Sequence, residues 1–517
     1  MIFRPCYESR RLIFYSCVFN THSNRVEIRK EASINNFPTI KPSDAVAWSE
    51  CFRRVWLDNK DLIDLPKSKD AFDELIIEQG LLHEKQVLSR LSEKHIVTEA
   101  KSVEHTKQLM DKGAEVIYQA RLENKNEKLI GFPDFLIRGE SGKYQAADAK
   151  LSRSSNKKNI QIQLGFYRKL LATELPALVY LGDGSISTIG DEANEITDQF
   201  ILEMRELLLN EVEPSVRYSH SKCRACPYYD YCMPKFENSQ DLSLLYGIQG
   251  RAADGLEKAG IESISMLANS DPETLPDVPY LKGAEKKRRA TLQAKSYLFG
   301  DTHQFDTVQL PQGQWVHFDI EDNPLAKNGD KHVYLWGFLV SPFGKENFEY
   351  IWTDKEEDDE KGWIGFLNQV EKYRSKYKDL VLAHFAAHER STIISYAKRY
   401  GMEQNDTVLY LLGDNSPLYD MQKPVLDNLV LPLKSYGLKE ICKHSALVNF
   451  QWEDDNSGSQ WSVVQFNRFL QEKSAVSREQ LKTEILRYNQ DDVFATRRLE
   501  EWLRTNFEES SKFCNLD

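Results

Sequence analysis

Hydrophobic and polar positions change period several times along the chain. Apolar alternation at period two predicts strands at Ala114–Leu122, Leu129–Arg138 and Lys143–Leu151, with glycines and charges between them as hairpin signals. The short apolar run Leu12–Phe19 follows Glu8 and lacks a small-residue cleavage site, so it reads as a strand and not as a leader. Residues 237–300 keep a helical period, punctuated by Gly-Ile pairs and ending in a basic run. Further strands are predicted at Trp315–Glu321, His332–Val340 and Leu380–His384, the last running into a helix with Glu389 at its start. Asp354–Lys361 is an acidic run expected to be a solvated loop. Gly300-Asp301 and Leu310–Gly313 make a linker. The chain thus divides into three blocks, residues 1–236, 237–300 and 312–510.

Composition narrows the class. The 517 residues are 41% hydrophobic and 28% charged, which is globular and excludes a disordered, collagen-like or disulfide-miniprotein chain. The net charge of -12 argues against coating nucleic acid by bulk charge, but leaves room for local basic tracks. No apolar run approaches the ~18 residues of a membrane span. We therefore expect a cytoplasmic protein with no membrane partner.

The first block carries carboxylates placed for metal chemistry. Asp148 and Lys150 are two apart on a strand and share a face. Such a carboxylate holds Mg²⁺ or Mn²⁺, while the ammonium orients water or steadies developing charge in phosphodiester hydrolysis. Asp134 is expected within the preceding strand, His83 on an upstream helix, and Gln163 and Tyr167 one turn apart on a downstream helix. Taken singly, each piece also fits a surface ion pair or a structural histidine. In order, Gly80-Leu-Leu-His83-Glu84, Gly131-Phe-Pro-Asp134, Asp148-Ala-Lys150 and Gln163-Leu-Gly-Phe-Tyr167 resemble the PD-(D/E)xK nucleases of the RecB/AddB type. The resemblance implies His83, Asp134 and Asp148 as metal ligands, Lys150 as catalytic, and Gln163 and Tyr167 on the DNA side of the site.

Eight cysteines are too sparse for a disulfide framework. Cys6, Cys17, Cys442 and Cys514 read as small buried hydrophobes. Cys223-x2-Cys226-x5-Cys232 is a compact triple, and with one remote thiolate it suits either tetrahedral Zn²⁺ or a [4Fe–4S] cluster. A subset of RecB/AddB-type nucleases carries one cysteine before the nuclease core and three after it, closing an iron–sulfur cluster. That resemblance implies Cys51 as the fourth ligand and iron–sulfur over zinc.

In the middle block, Leu245-Tyr-Gly247-Ile248 and Ala259-Gly260-Ile261, each followed by a helical stretch, resemble a small all-α helix-hairpin-helix module. Such hairpins bind DNA phosphates through backbone amides. Gly260, with Lys286, Lys287, Arg288 and Arg289, is the expected contact set, against a plain helical linker with a solvated basic face.

The third block gathers a second set of acids. Asp319 and Glu321 share a strand face, and Tyr488 and Asp492 share a helix face. With Glu389 they make four acids, costly to bring together without cations, and two Mg²⁺ ions would neutralise them. Asp319-x-Glu321, His384-Phe-Ala-Ala-His-Glu389 and Tyr488-x-x-x-Asp492 resemble the DEDD exonucleases of the RNase H-like fold, with Glu389 where those enzymes usually carry Asp. The segment Leu433–Lys439 matches one that commonly precedes the last helices. The resemblance implies the four acids as metal ligands and Tyr488 as the residue that positions water.

The whole order is similar to bacterial RecB-like nucleases fused to an RNase H-like exonuclease domain, over nearly all of the chain beyond the first ~40 residues. It implies an α/β multidomain protein: a PD-(D/E)xK core, a helix-hairpin-helix linker and an RNase H-like domain. The expected activity is a metal-dependent DNA nuclease, an exodeoxyribonuclease with two active sites. It would process DNA ends or single strands in repair or defence against foreign DNA, in one version beside a helicase. The alternatives are a ribonuclease working through the third block and a non-catalytic nucleic-acid adaptor for a helicase.

Overall fold

The computed structural model describes residues 38–60, 71–326, 331–340, 342, 344, 347–453 and 459–508. The predicted strand Leu12–Phe19 and Cys6, Cys17 and Cys514 lie outside the described residues. Among the described residues no helix is long and apolar enough to cross a membrane.

Two mixed sheets organise the chain into an α/β multidomain protein. The first runs in the order Val97–Glu99, Val116–Tyr118, Phe135–Arg138, Tyr144–Lys150, Ala177–Leu181, Ile186–Ile189. Its Tyr144–Lys150 strand lies antiparallel to Phe135–Arg138 and parallel to Ala177–Leu181. Helix Ala71–Ser92 covers one face, with Val87 and Leu91 against Val116, Phe135 and Ala147. Helix Lys158–Leu171 covers the other, with Ile160, Leu164 and Tyr167 against Leu136, Ala146 and Val179.

Two predicted strands are broken in the fold. The first becomes Val116–Tyr118 and Leu122–Asn124, parted at Gln119, whose φ is 51°. The second becomes Leu129–Gly131 and Phe135–Arg138, because Pro133 between them has no amide to give a ladder. Asp134 therefore sits in the break, not inside a strand as expected.

The second sheet runs Phe348–Trp352, His332–Val340, Gln314–Asn323, Leu380–His384, Leu418–Asp420. The first three strands are antiparallel and the last two join in parallel. Trp336, Trp363, Phe366 and Tyr396 fill the core on one side. Helix Ala475–Asn506 closes the other through Ala495, Leu499 and Leu503. The acidic run is not a solvated loop: it opens helix Asp359–Lys376, and Asp359 is buried, accepting hydrogen bonds from Tyr396, Arg399 and Tyr400 at 2.6, 2.6 and 2.7 Å.

Between the sheets, helices Arg251–Lys258, Ile264–Asn269 and Ala284–Phe299 share one core with Tyr218, Met233 and Phe236 of the preceding segment. Apolar, hydrogen-bond and stacking contacts then tie the first two blocks to the third. Leu75 packs on Val463 and Val464. Arg153 donates to the Pro324 carbonyl at 3.2 Å. Tyr246 stacks on Tyr436 with ring centroids 4.1 Å apart.

Candidate active sites

The break at Pro133 shapes the first site. With Asp134 outside the ladder, its amide donates to Asp148 Oδ1 at 3.0 Å, and the Ala149 amide donates back to Asp134 Oδ2 at 2.8 Å. Each carboxylate is thus held by an amide of the other's segment, Asp148 by that of Asp134 and Asp134 by that of Ala149. Lys150 Nζ lies 2.9 Å from Asp148 Oδ2, as the period-two reading requires. Burial, then the neighbouring Asp148, push Asp134 well above the usual carboxylate range. Burial opposes the charge on Lys150, but Asp148 and Asp134 outweigh it and hold the ammonium above its ordinary value.

His83 Nε2 meets the Tyr180 carbonyl at 2.9 Å. That partner places the proton on Nε2 and leaves Nδ1 as the unprotonated ring nitrogen. Tyr167 donates to the Phe132 carbonyl at 3.1 Å and accepts from Gln163 at 3.2 Å, so this pair braces the Gly131–Asp134 turn. A Cβ on Gly131 would sit 2.8–2.9 Å from Leu170 and Tyr167 atoms, which explains the glycine. Glu84, absent from the predicted site set, faces the same site. It accepts from Tyr118 at 2.8 Å and Gln119 at 2.5 Å, and its charge raises Asp134. Its place beside His83 in the motif was the available signal.

The third block holds a second site. Carboxylate oxygens of Asp319, Glu321 and Asp492 all lie within 4.8 Å of one another. Glu389 is buried at the start of helix His388–Arg399, and its charge reaches Asp319. Burial, then Glu321, Asp492 and Glu389, drive Asp319 well above its ordinary range. Burial and Asp492 push Glu321 up to about 8. Tyr488, four residues before Asp492 on the long helix, is likewise pushed well above 10 by burial and these charges.

Several residues of this site were not predicted. Asn489 Nδ2 donates to Asp319 at 2.7 Å and Glu321 at 3.4 Å. Ser462 donates to Glu321 at 2.5 Å, and Trp452 Nε1 to Asp492 at 2.7 Å. Gly337 makes room for Asn489: a Cβ there would come within 1.8 Å of Asn489 Oδ1. No spacing rule links these positions, which converge from separate helices and a loop.

The third-block site fits divalent cations: Glu389 Oε2 lies 3.2 Å from His384 Nδ1 yet neither atom finds a hydrogen bond, and Asn489 Oδ1 is also buried without one. Buried acids with unsatisfied oxygens are the donor set hard cations take.

The fold also brings Cys51 to Cys223, Cys226 and Cys232, around a cavity of about 350 Å³. Cys51 ends helix Ala45–Glu50, and Cys232 lies on helix Tyr229–Asn238. Burial raises the thiols of Cys223, Cys226 and Cys232, while the cations Arg53 and Arg54 draw them back. Cys442 is fully buried elsewhere, as expected for a small hydrophobe.

The middle block corrects the expected phosphate contacts. Gly260 is a helix C-terminal turn: at φ 87° its amide donates to the Glu257 carbonyl and the Ile261 amide to Leu256, so this turn has no amide for a phosphate. Arg289 is bound to the carbonyls of Leu426, Asp427 and Leu429 at 2.9, 2.6 and 3.2 Å. Lys287 pairs with Asp277 at 2.8 Å. Lys286 and Arg288 stay exposed.

No curated protein matches the chain. Among solved structures, that of SSO0001 is 19% identical over 40% of this chain and 89% of its own, with a TM-score of 0.23. The PD-(D/E)XK nuclease superfamily model matches residues 41–233, and the RNase_H superfamily model matches residues 316–504. The chain therefore carries a PD-(D/E)XK nuclease superfamily domain and a C-terminal RNase_H superfamily domain, two nuclease-type domains in one polypeptide.

Proposed function

We propose that the protein is a metal-dependent DNA nuclease with two active sites, an exodeoxyribonuclease that processes DNA ends or single strands in repair or defence. The observation that carries this reading is that each site buries carboxylates that repel one another: Asp134 with Asp148, and Asp319 with Glu321 and Asp492. Such burial is destabilising unless cations neutralise it. Bound Mg²⁺ or Mn²⁺ supplies Lewis-acid activation of water and of the phosphate oxygens. In the first site His83 Nδ1, Asp134 and Asp148 hold the metal, and Lys150 steadies charge on the phosphate. Gln163 and Tyr167 keep the Asp134 turn in place. In the third block Asp319, Glu321, Glu389 and Asp492 hold the metals, Tyr488 positions the water, and Asn489 and Ser462 fix the ligand oxygens.

The four cysteines suit a [4Fe–4S] cluster. Zinc at a Zn–S distance near 2.3 Å needs sulfurs about 3.8 Å apart. The four thiols surround a cavity of about 350 Å³, with room for more than a single ion. That room supports iron–sulfur, with the cluster joining segments on either side of the nuclease core.

The test uses single-stranded DNA, duplex DNA and RNA, each with and without Mn²⁺. Asp148→Ala should abolish most DNA cleavage, and Asp319→Ala should change the product-length pattern or remove a residual trimming. If folded Asp148→Ala cuts every substrate as the parent does, the first site is not the nuclease. Cleavage of RNA alone, lost in Asp319→Ala, returns the ribonuclease reading. No cleavage at all leaves the adaptor.

A further inference from the structure

The four-acid site includes a cation that neither the expected ligands nor the water-positioning tyrosine accounts for. Lys439 lies on the short helix Leu438–Lys443, whose Ile441 and Cys442 pack into the core shared with Ala495 and Leu499 of the long helix. Its Nζ sits 4.7 Å from the centroid of the Tyr488 ring and 5.5 Å from that of Trp452, the tryptophan bonded to Asp492. After burial, Lys439 is the strongest influence on Asp492, and its charge also reaches Glu321.

The segment carrying it is held from outside. Glu440 pairs with Arg224 at 3.4 Å and His220 at 3.6 Å, and Lys434 pairs with Glu237 at 2.6 Å. Tyr436 donates to Gln293 at 2.8 Å. A lysine so placed is not a drifting surface charge. Charge balance says what it faces. Four carboxylates and two divalent cations are neutral together, so a phosphodiester entering the site brings one negative charge that the acids and metals leave unmatched.

We propose that Lys439 is a substrate-binding residue of the third-block site, its ammonium taking one non-bridging oxygen of the scissile phosphate beside Tyr488. This rests on reading that block as a nuclease centre. In hydrolysis the water oxygen bonds to phosphorus, one water proton goes to solvent, the phosphorus bond to the leaving sugar oxygen breaks, and that oxygen is protonated. Lys439 keeps its proton throughout and meets charge that grows on the phosphoryl oxygens.

The full-length Asp148→Ala protein, with the first site silenced, is the parent for Lys439→Met and Lys439→Arg. Three quantities are measured: Mn²⁺ affinity, affinity for thymidine 5′-monophosphate with Mn²⁺ present, and the single-turnover rate on a labelled oligothymidylate. Lys439→Met should leave Mn²⁺ affinity within about twofold, weaken nucleotide binding about tenfold and slow turnover about 100-fold, with Lys439→Arg restoring part of both. Unchanged nucleotide binding and rate in Lys439→Met overturn the proposal, as does a fall in Mn²⁺ affinity that accounts for both losses. If adding Asp319→Ala leaves trimming unchanged, the nuclease reading of the block fails instead. The nucleotide-binding arm still decides Lys439, because it needs no turnover.

Discussion

Replacing Glu321 with glutamine should stabilise the metal-free protein in alkali and do nothing in acid. Glu321 is buried, and Asp492 beside it helps push its carboxyl up to about 8 from an ordinary 4.5. The unfolded chain ionises this group freely above 4.5, whereas the metal-free fold resists until about 8. The fold is therefore penalised increasingly as pH rises between those values, fully above 8, and not at all below 4.5. At about 1.4 kcal/mol per pH unit the full penalty is about 5 kcal/mol. Asp319 and Asp492 share the relief when one charge is removed, which brings the observable gain to about 2–4 kcal/mol. Glutamine's one oxygen still accepts from the Asn489 amide, and its NH2 group can donate to the Ser462 hydroxyl oxygen in place of the bond it loses there, so little is lost in exchange. For a domain of this size that gain is a melting shift of about 5–15 °C. Tryptophan fluorescence reports the right block, since Trp315, Trp336, Trp352, Trp363, Trp452, Trp461 and Trp502 are seven of the nine tryptophans. Melts in EDTA at pH 8.5 should favour Glu321→Gln, those at pH 4.5 should coincide, and Mn²⁺ at pH 8.5 should raise the parent more than the variant. A variant that melts at or below the parent in EDTA at pH 8.5 would refute the claim that these acids repel one another in the empty site.

Cys51→Ser should lower bound iron and the melting temperature of the first block together, because thiolate ligation is coupled to folding; unchanged iron content excludes Cys51 as a ligand. Stoichiometric zinc without iron would exclude the cluster itself. Arg289→Ala should destabilise the protein by about 2–3 kcal/mol in urea melts, the worth of a charged group hydrogen-bonded to several carbonyls, while leaving the salt dependence of DNA binding unchanged. A flattened salt slope at unaltered stability would restore its phosphate role. Gly337→Ala should displace Asn489 and weaken Mn²⁺ binding at the third-block site by about 10–100-fold, read by titration in the Asp148→Ala background; parental affinity there would show that Asn489 does not hold the ligand oxygens.

The parts of the sites legible in the sequence are those that local periodicity controls. Asp148 and Lys150, or Asp319 and Glu321, share a face because a strand repeats every two residues, and Tyr488 and Asp492 because a helix turn spans four. Three further readings depended on tertiary structure. Pro133 breaks a run that looks like one strand, and only the fold shows that the break lets the Asp134 amide reach Asp148 and the Ala149 amide reach Asp134. Gly260 and Arg289 have the composition of a phosphate site, but one ends a helix and the other caps carbonyls in another block. Asn489, Ser462 and Trp452 carry no pattern at all, since nothing in the sequence says which helix faces they meet. Cys51 lies far from Cys223, Cys226 and Cys232 in sequence, and a family resemblance, not spacing, pointed to the cavity the four share.

Leu75 on Val463 and Val464 has a consequence for how the two halves can be dissected. Leu75 belongs to the helix that carries His83, and the two valines follow Ser462, which holds Glu321. One apolar seam therefore backs both centres. A fragment cut at the linker would expose that seam to water and deprive Glu440 and Lys434 of their counter-charges, so neither half carries its own native surface away with it. The halves are two machines bolted to a common chassis, so a change that loosens one mounting should be felt at the other.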